Sequence, residues 1–352
     1  MPDFFHQEPL RLGRVGGLCH LRFVMNVFRI SLKSSAAIFL SAAILCLSAV
    51  SSADDKTSFV KPTVVPSLAF NPLSEAKIKL GQRLFFERRL SGGNSMSWAS
   101  CHQPDYSWTD PRRFSLGETG VPRPRRTPSL QDVAWNILFA RDGRVETLEG
   151  FVLGPITHAE EMNQDIDLLT SELEAETGYP DLFEAAFGAR RITLDGITQS
   201  LATYVRTLRS AISPFDRWIK GDTTAMSEAA QSGFNVFSGD AGCSQCHTGW
   251  RFTDQQFHDI GLKTDDKGRG KLKPDAILSQ YAFKTPSLRN VAIRPPYMHN
   301  GSISSLEEVM DHYQAGFISR PSLSPLIRRF KLTDQEKLNI IEFLKSLTDD
   351  IR

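Results

Sequence analysis

Cys243-Ser244-Gln245-Cys246-His247 is the pattern C-x-x-C-H, in which two thiols add to the vinyl groups of a haem and the next residue offers its imidazole to the iron. A dithiol redox site would leave the adjoining histidine unexplained, and a tetrahedral zinc would need a second ligand pair that the chain does not readily supply. The spacing predicts a covalently held c-type haem. Cys101-His102 closes a second run, Trp98-Ala99-Ser100-Cys101-His102, in which Trp98 stands where the first cysteine would be. By itself this dipeptide says little, because a cysteine beside a histidine is most often ordinary core.

An internal repeat gives it meaning. Residues 127–149 read TPSLQDVAWNILFARDGRVETLE, and residues 285–307 read TPSLRNVAIRPPYMHNGSISSLE. They align without gaps and share Thr-Pro-Ser-Leu, Val-Ala, the glycines Gly143 and Gly301, and Leu-Glu at 148–149 and 306–307. Upstream, Gly81, Leu84-Phe85, Cys101-His102 and Trp108-Thr109-Asp110 parallel Gly233, Val236-Phe237, Cys246-His247 and Phe252-Thr253-Asp254. The chain reads as two copies of one haem-binding unit, so a second haem is expected at His102. With Trp98 in place of a thiol, that haem is held by one thioether at Cys101 or by none.

The elements that position these residues read as helices between long irregular connections. Ala76, Leu80 and Leu84 recur every four residues before the first site. Leu194, Ile197, Leu201, Val205 and Leu208 keep helical spacing from Leu194 to Ile212, with Ser213-Pro214 as the stop. Thr333-Asp334-Gln335-Glu336 is a capping box that opens a closing helix, with Leu338, Ile341, Leu344 and Leu347 on one face. Ser91–Ser95 and Arg112–Arg126 have no periodicity and read as functional loops flanking the first site.

Composition excludes other classes. The 41 Lys+Arg balance 40 Asp+Glu over 352 residues, so the chain lacks the basic excess that nucleic-acid partners select. Arg29 and Lys33 precede the apolar run Ala36 to Val50, followed by Ser51-Ser52-Ala53. That is the layout of a cleaved signal peptide, too short for a membrane span, with Met25 well placed as its start. The expected mature protein is exported, with no membrane span after processing. Cys19 and Cys46 fall in the discarded segment, and Cys101, Cys243 and Cys246 are too few for a disulfide scaffold.

Several motifs together resemble the bacterial dihaem cytochrome c peroxidase/MauG family, in its MauG-like branch. They are LGQRLFFERRLSG, SCHQP, RRTPSLQDVAWN, DGRVETLEGFVLGPI with the following EEM, CSQCH and FKTPSLRNVAIRPPYMHNGS, spanning about Asn71 to Ile351. The resemblance implies a mostly α fold: two cytochrome c-like helical haem domains related by duplication, with long irregular loops, here divided as 54–222 and 223–352. It implies a periplasmic enzyme that reduces hydrogen peroxide at the N-terminal haem with electrons from a small c-type cytochrome or cupredoxin, relayed through the C-terminal haem. The alternative within the family is oxidation of the side chains of a partner protein through a high-valent haem. Outside it stands a monohaem electron-transfer cytochrome, should the first haem be absent.

Carried over by motif, His102 and His247 look like the proximal iron ligands, and Pro155 and Glu161 like the distal pocket of the peroxide-handling haem. A carboxylate there can take a proton from the near peroxide oxygen and return it to the far one. Aligned from Leu306, Tyr313 falls where peroxidases of the family carry methionine and MauG-like members carry tyrosine; Met310 and Met298 are the other candidates for the sixth position of the second haem. A phenolate ligand would lower the potential of that haem and a thioether would raise it. Arg141 departs from the family, which usually has a tryptophan before Asp-Gly-Arg, although Trp135 is nearby. No histidine lies between Gln103 and Arg126 to cap the first haem. A calcium ion held mainly by backbone carbonyls, near Thr285 and Pro286, is also implied, but Arg126 stands where the family often has asparagine.

Overall fold

The computed structural model describes residues 56–349, so the leader expected within residues 1–53 lies outside it. The described chain is mostly helical. Its β structure is one antiparallel pair, β1 (Phe257–His258) with β2 (Phe283–Lys284), and isolated bridges. Among the described residues no helix is long and apolar enough to cross a membrane.

The first copy of the repeat is built on α1 (Glu75–Phe85), α2 (Leu148–Thr157), α3 (Ile166–Ala175), α4 (Tyr179–Phe187) and α5 (Leu194–Thr207). Ser74, Thr147, Asp165 and Thr193 cap α1, α2, α3 and α5 by accepting first-turn amides, which fixes where each helix begins. Leu80, Leu84 and Phe85 of α1 meet Ile197, Leu201 and Val205 of α5 in one apolar core that also takes Trp98. The helix expected to run to Ile212 ends at Thr207. Beyond it the backbone is claimed by Asp132, whose carboxylate accepts from Ser210 N at 3.2 Å and Ser210 Oγ at 2.6 Å.

The second copy uses α6 (Pro214–Ile219), α7 (Glu228–Ser238), α8 (Leu306–Asp311) and α9 (Asp334–Ser346) around a separate core of Phe215, Phe234, Phe237, Phe252 and Phe343. Thr333 and Glu336 form the expected capping box. Leu338, placed on the apolar stripe by spacing, is 53% exposed, and Ile340 and Phe343 join Ile341, Leu344 and Leu347 inside. The stripe is turned because α9 is pinned where it crosses α7. A Cβ at Gly233 would lie 1.9 Å from the Asn339 carbonyl oxygen, and one at the equivalent Gly81 lies 1.9 Å from that of Ser200 in α5. In each copy the two main helices therefore touch backbone to backbone, which glycine alone permits.

The duplication extends to local geometry. Asp132 and Asn290 share positive φ, as do Ala140 and Met298, Gly143 and Gly301, and Trp108 and Phe252. The bridge Phe139–Val145 recurs as Tyr297–Ile303. The copies meet where Asn290 Nδ2 donates to Gln131 Oε1 at 2.8 Å. Next to that contact Arg289 is fully buried and donates to both carboxylate oxygens of Asp216, at 2.7 and 2.8 Å. Phe59, from a short turn at Lys56–Phe59, packs against Phe215, Phe234 and Phe252.

Candidate functional site

Both sequence-predicted histidines are held in the same way. His102 Nδ1 meets the carbonyl of Trp108 at 3.0 Å, and His247 Nδ1 meets that of Phe252 at 2.9 Å. A carbonyl only accepts, so in each ring Nδ1 carries the proton and Nε2 is left with its lone pair, the form in which imidazole binds a metal. Burial pushes His102 down to about 4 and lowers His247 as well, keeping both rings neutral.

The cysteines have the opposite character to a reactive dithiol. Burial pushes the Cys101 thiol up to about 11 and the Cys243 thiol up to about 12, whereas a redox-active C-x-x-C lowers its attacking thiol. Cys101, Cys243 and Cys246 are all free. At the first site Trp98, 2% exposed, lies stacked on the His102 ring at 5.3 Å and 18°. Its indole takes part of the space that a second thiol would use, and its Nε1 is a buried donor without a partner.

Cys243, Cys246 and His247 open onto a cavity walled also by Leu288, Val291, Leu306, Val309 and Leu344. Tyr313, Met310 and Met298 line the same cavity, so all three sixth-ligand candidates reach one site. Tyr313 sits in a π-helical turn, His312–Gly316, that continues α8; such turns recur at functional sites. Burial, with the Cys243 and Cys246 sulfurs, raises its phenol above the ordinary range. Met310 is packed into the second core, and Met298 lies in a loop at φ 71°. The neutral imidazole, the two thiols at C-x-x-C-H spacing and the apolar side chains around them fit a covalently held haem at the second site. At the first site His102 Nε2 and the Cys101 thiol are the donors available to a haem.

Glu161 lies in the turn after α2. Its carboxylate is close enough to Cys101 to contribute, after burial and Asp110, to raising that thiol. Arg123, from the loop expected to be functional, pairs with it at 3.3 Å and also holds Glu160. The two carboxylates differ: the Glu160 side chain is 59% exposed and that of Glu161 26%. Pro155 lies within α2, and its carbonyl accepts from Met162 N at 3.0 Å, tying down the turn that carries Glu161.

Sequence reasoning missed three features. His258 Nε2 pairs with Asp254 at 2.8 Å and lies with Cys246 in a cluster of metal-ligating types. The Asp254 carboxylate and the Cys246 sulfur push His258 up to about 9; an imidazolium offers no lone pair, so this is an ion pair beside the haem site. The equivalent Asp110 has Arg112 as its partner at 2.7 Å, and the repeated Thr-Asp was the signal available. Second, Trp135 pairs with Trp250, ring centroids 4.9 Å apart. Third, the space between the sites is lined by cations held by backbone oxygens: Arg141 Nε donates to Arg126 O at 2.7 Å, Lys284 Nζ to Leu138 O at 2.6 Å and Arg294 Nη2 to Arg289 O at 2.6 Å. Burial and the neighbouring arginines push Arg141 down to about 9.

Comparison with known proteins shows what the chain as a whole is similar to. The family model for di-haem cytochrome c peroxidase matches residues 75–224. The chain is 46% identical over 295 residues to the methylamine utilization protein MauG of Methylorubrum extorquens, covering 83% of this chain and 84% of that protein. It is 30% identical over 292 residues to the cytochrome c551 peroxidase of Nitrosomonas europaea, covering 82% and 84%. Among solved structures, a MauG-like protein associated with microbial copper homeostasis superposes with a TM-score of 0.76 at 32% identity, covering 82% of this chain and 95% of that one.

Proposed function

The chain belongs to the di-haem cytochrome c peroxidase family, and on that basis we propose a periplasmic peroxidase of the MauG-like kind, which reduces hydrogen peroxide at the haem of His102. A small c-type cytochrome or cupredoxin would be the electron donor, and a haem held by His247 would supply the relay. Within residues 54–222 lies the peroxide site and within 223–352 the electron-relaying one, although Phe59 and α6 of the first span pack in the core of the second.

When bound, the haem iron supplies the redox chemistry. The protein's part is to hold and protonate. His102 and His247 present Nε2 to iron because their Nδ1 protons are committed to carbonyls. Cys243 and Cys246 would hold the second macrocycle through two thioethers, and Cys101 would hold the first through one. Glu161 takes the proton from the near oxygen of peroxide and delivers it to the far one, which then leaves as water. Arg123 orients that carboxylate, and the Pro155–Met162 hydrogen bond positions its turn.

The observation that carries this reading is the pairing of one shared proximal geometry with different surroundings: a carboxylate near Cys101, a phenol near Cys243 and Cys246. A second reading, oxidation of side chains on a partner protein, is favoured by that phenol, since a phenolate lowers the potential of the haem it binds.

Haem quantitation and intact mass of protein matured with c-type haem machinery should give two haems per chain. His102→Gly is expected to leave one and His247→Gly to leave the other. One haem per chain in the wild type, unaffected by His102→Gly, would replace both readings with a monohaem electron carrier.

Tyr313→Phe should shift the ferric spectrum of the second haem toward high spin. An unchanged spectrum, with a sulfur-to-iron band lost in Met310→Leu or Met298→Leu, would give the sixth position to that methionine.

A further inference from the structure

Oxygen atoms from both copies of the repeat converge on one side chain. Arg126, 4% exposed, donates through Nη1 to Thr109 Oγ1 at 3.2 Å and Thr127 O at 3.3 Å. Through Nη2 it donates to Asp110 O at 3.1 Å, Arg294 O at 3.2 Å and Pro295 O at 3.0 Å. No carboxylate is among these partners.

Such a set of hard, mostly main-chain oxygens is what a calcium ion selects. Buried carbonyls need a positive or donating group beside them. A calcium ion bound to the same oxygens at ~2.3–2.6 Å would lie against the guanidinium and be repelled by it. The nearby carboxylates are committed: Asp110 to Arg112, and Asp142 to Arg125 and Arg144.

We infer that Arg126 is a built-in cation that fills a calcium-type cage between the two haem-bearing halves, so that this chain needs no calcium there. Arg141, bonded through Nε to the Arg126 carbonyl, stands beside it. The two guanidiniums together bring the formal charge of one divalent ion. Of the two departures from the family pattern, Arg126 fills the cage, and Arg141 ties down the Arg126 carbonyl. The cage escapes sequence reading because four of its five oxygens are backbone atoms.

The test is metal analysis of the purified dihaem protein, with thermal midpoint and ferric spectrum followed as chelator and then calcium are added. None of these readouts requires turnover, so the inference can fail while the peroxidase reading stands. The wild type should carry substoichiometric calcium, and neither EGTA nor millimolar calcium should move its midpoint or spectrum. One calcium per chain, removed by EGTA with a change in either, overturns the inference. Arg126→Asn empties the cage and leaves an oxygen donor; its midpoint should fall without metal and rise with added calcium, as for any ligand bound by the folded state alone. A midpoint unchanged by the substitution, or one that calcium cannot raise, also overturns it. If Arg126→Asn does not fold, Arg126→Lys retains a cation; its midpoint should lie below that of the wild type and ignore calcium, and a calcium-dependent midpoint there counts against the proposal.

Discussion

Glu161→Gln is expected to slow the reaction of the ferric protein with peroxide by roughly 10²–10⁴-fold while leaving haem content unchanged. Glutamine keeps the size of the side chain and can still accept from Arg123, but it cannot carry a proton between the two peroxide oxygens. Stopped-flow mixing with hydrogen peroxide, followed in the Soret band, reads the step directly. Glu160→Gln is the internal control, since that carboxylate shares Arg123 yet is more than half exposed. It should react at close to the wild-type rate. A wild-type rate in Glu161→Gln would take the acid–base role from this residue, and a wild type inert to peroxide would remove the peroxidatic reading itself.

The largest effect on stability is expected at Asp216. Its carboxylate receives both Arg289 hydrogen bonds and those of Ser213 N and Oγ, while Arg289 also donates to Trp250 O at 2.6 Å. Asp216→Ala leaves a fully buried guanidinium without its counter-charge, a change that costs about 3–5 kcal/mol. Urea unfolding of the holoprotein should show the midpoint falling at near-constant slope. The pair also sets a pH dependence. Burial alone would raise the Asp216 carboxyl, but Arg289 and Ser213 outweigh it and hold the group below its ordinary value. Its contribution is therefore present above the ordinary carboxylate range and is lost as pH falls through the lowered folded-state value. Asp216→Ala should flatten the acid limb of the stability profile, and a variant as acid-sensitive as the wild type would show that another group controls it.

How much of this was legible in the sequence depends on which atoms do the work. Thioether attachment and iron ligation need particular side chains at fixed spacing, so Cys243, Cys246 and His247 announce themselves, and the repeat extends the reading to Cys101 and His102. The helix cap at Thr333 has the same legibility. Work done by the backbone does not show. The carbonyls of Trp108 and Phe252 that set the histidine tautomers, and the oxygens around Arg126, could have been contributed by almost any residue type. The end of α5 and the exposure of Leu338 were hidden for a related reason: both follow from tertiary contacts, at Asp132 and at the α7–α9 crossing, that override local periodicity.

The placement of Phe59 bears on the order in which the molecule assembles. This ring, among the first described residues, is buried against Phe215, Phe234 and Phe252, which the chain supplies only after the whole first copy has been made. Closing such distant contacts carries a loop-entropy cost, which marks them as late events. The second core thus remains unfinished until the strap formed by Lys56–Phe59 returns to it. A fragment beginning at residue 223 would lack both Phe59 and Phe215, and its exposed aromatic surface would leave it prone to self-association rather than free-standing.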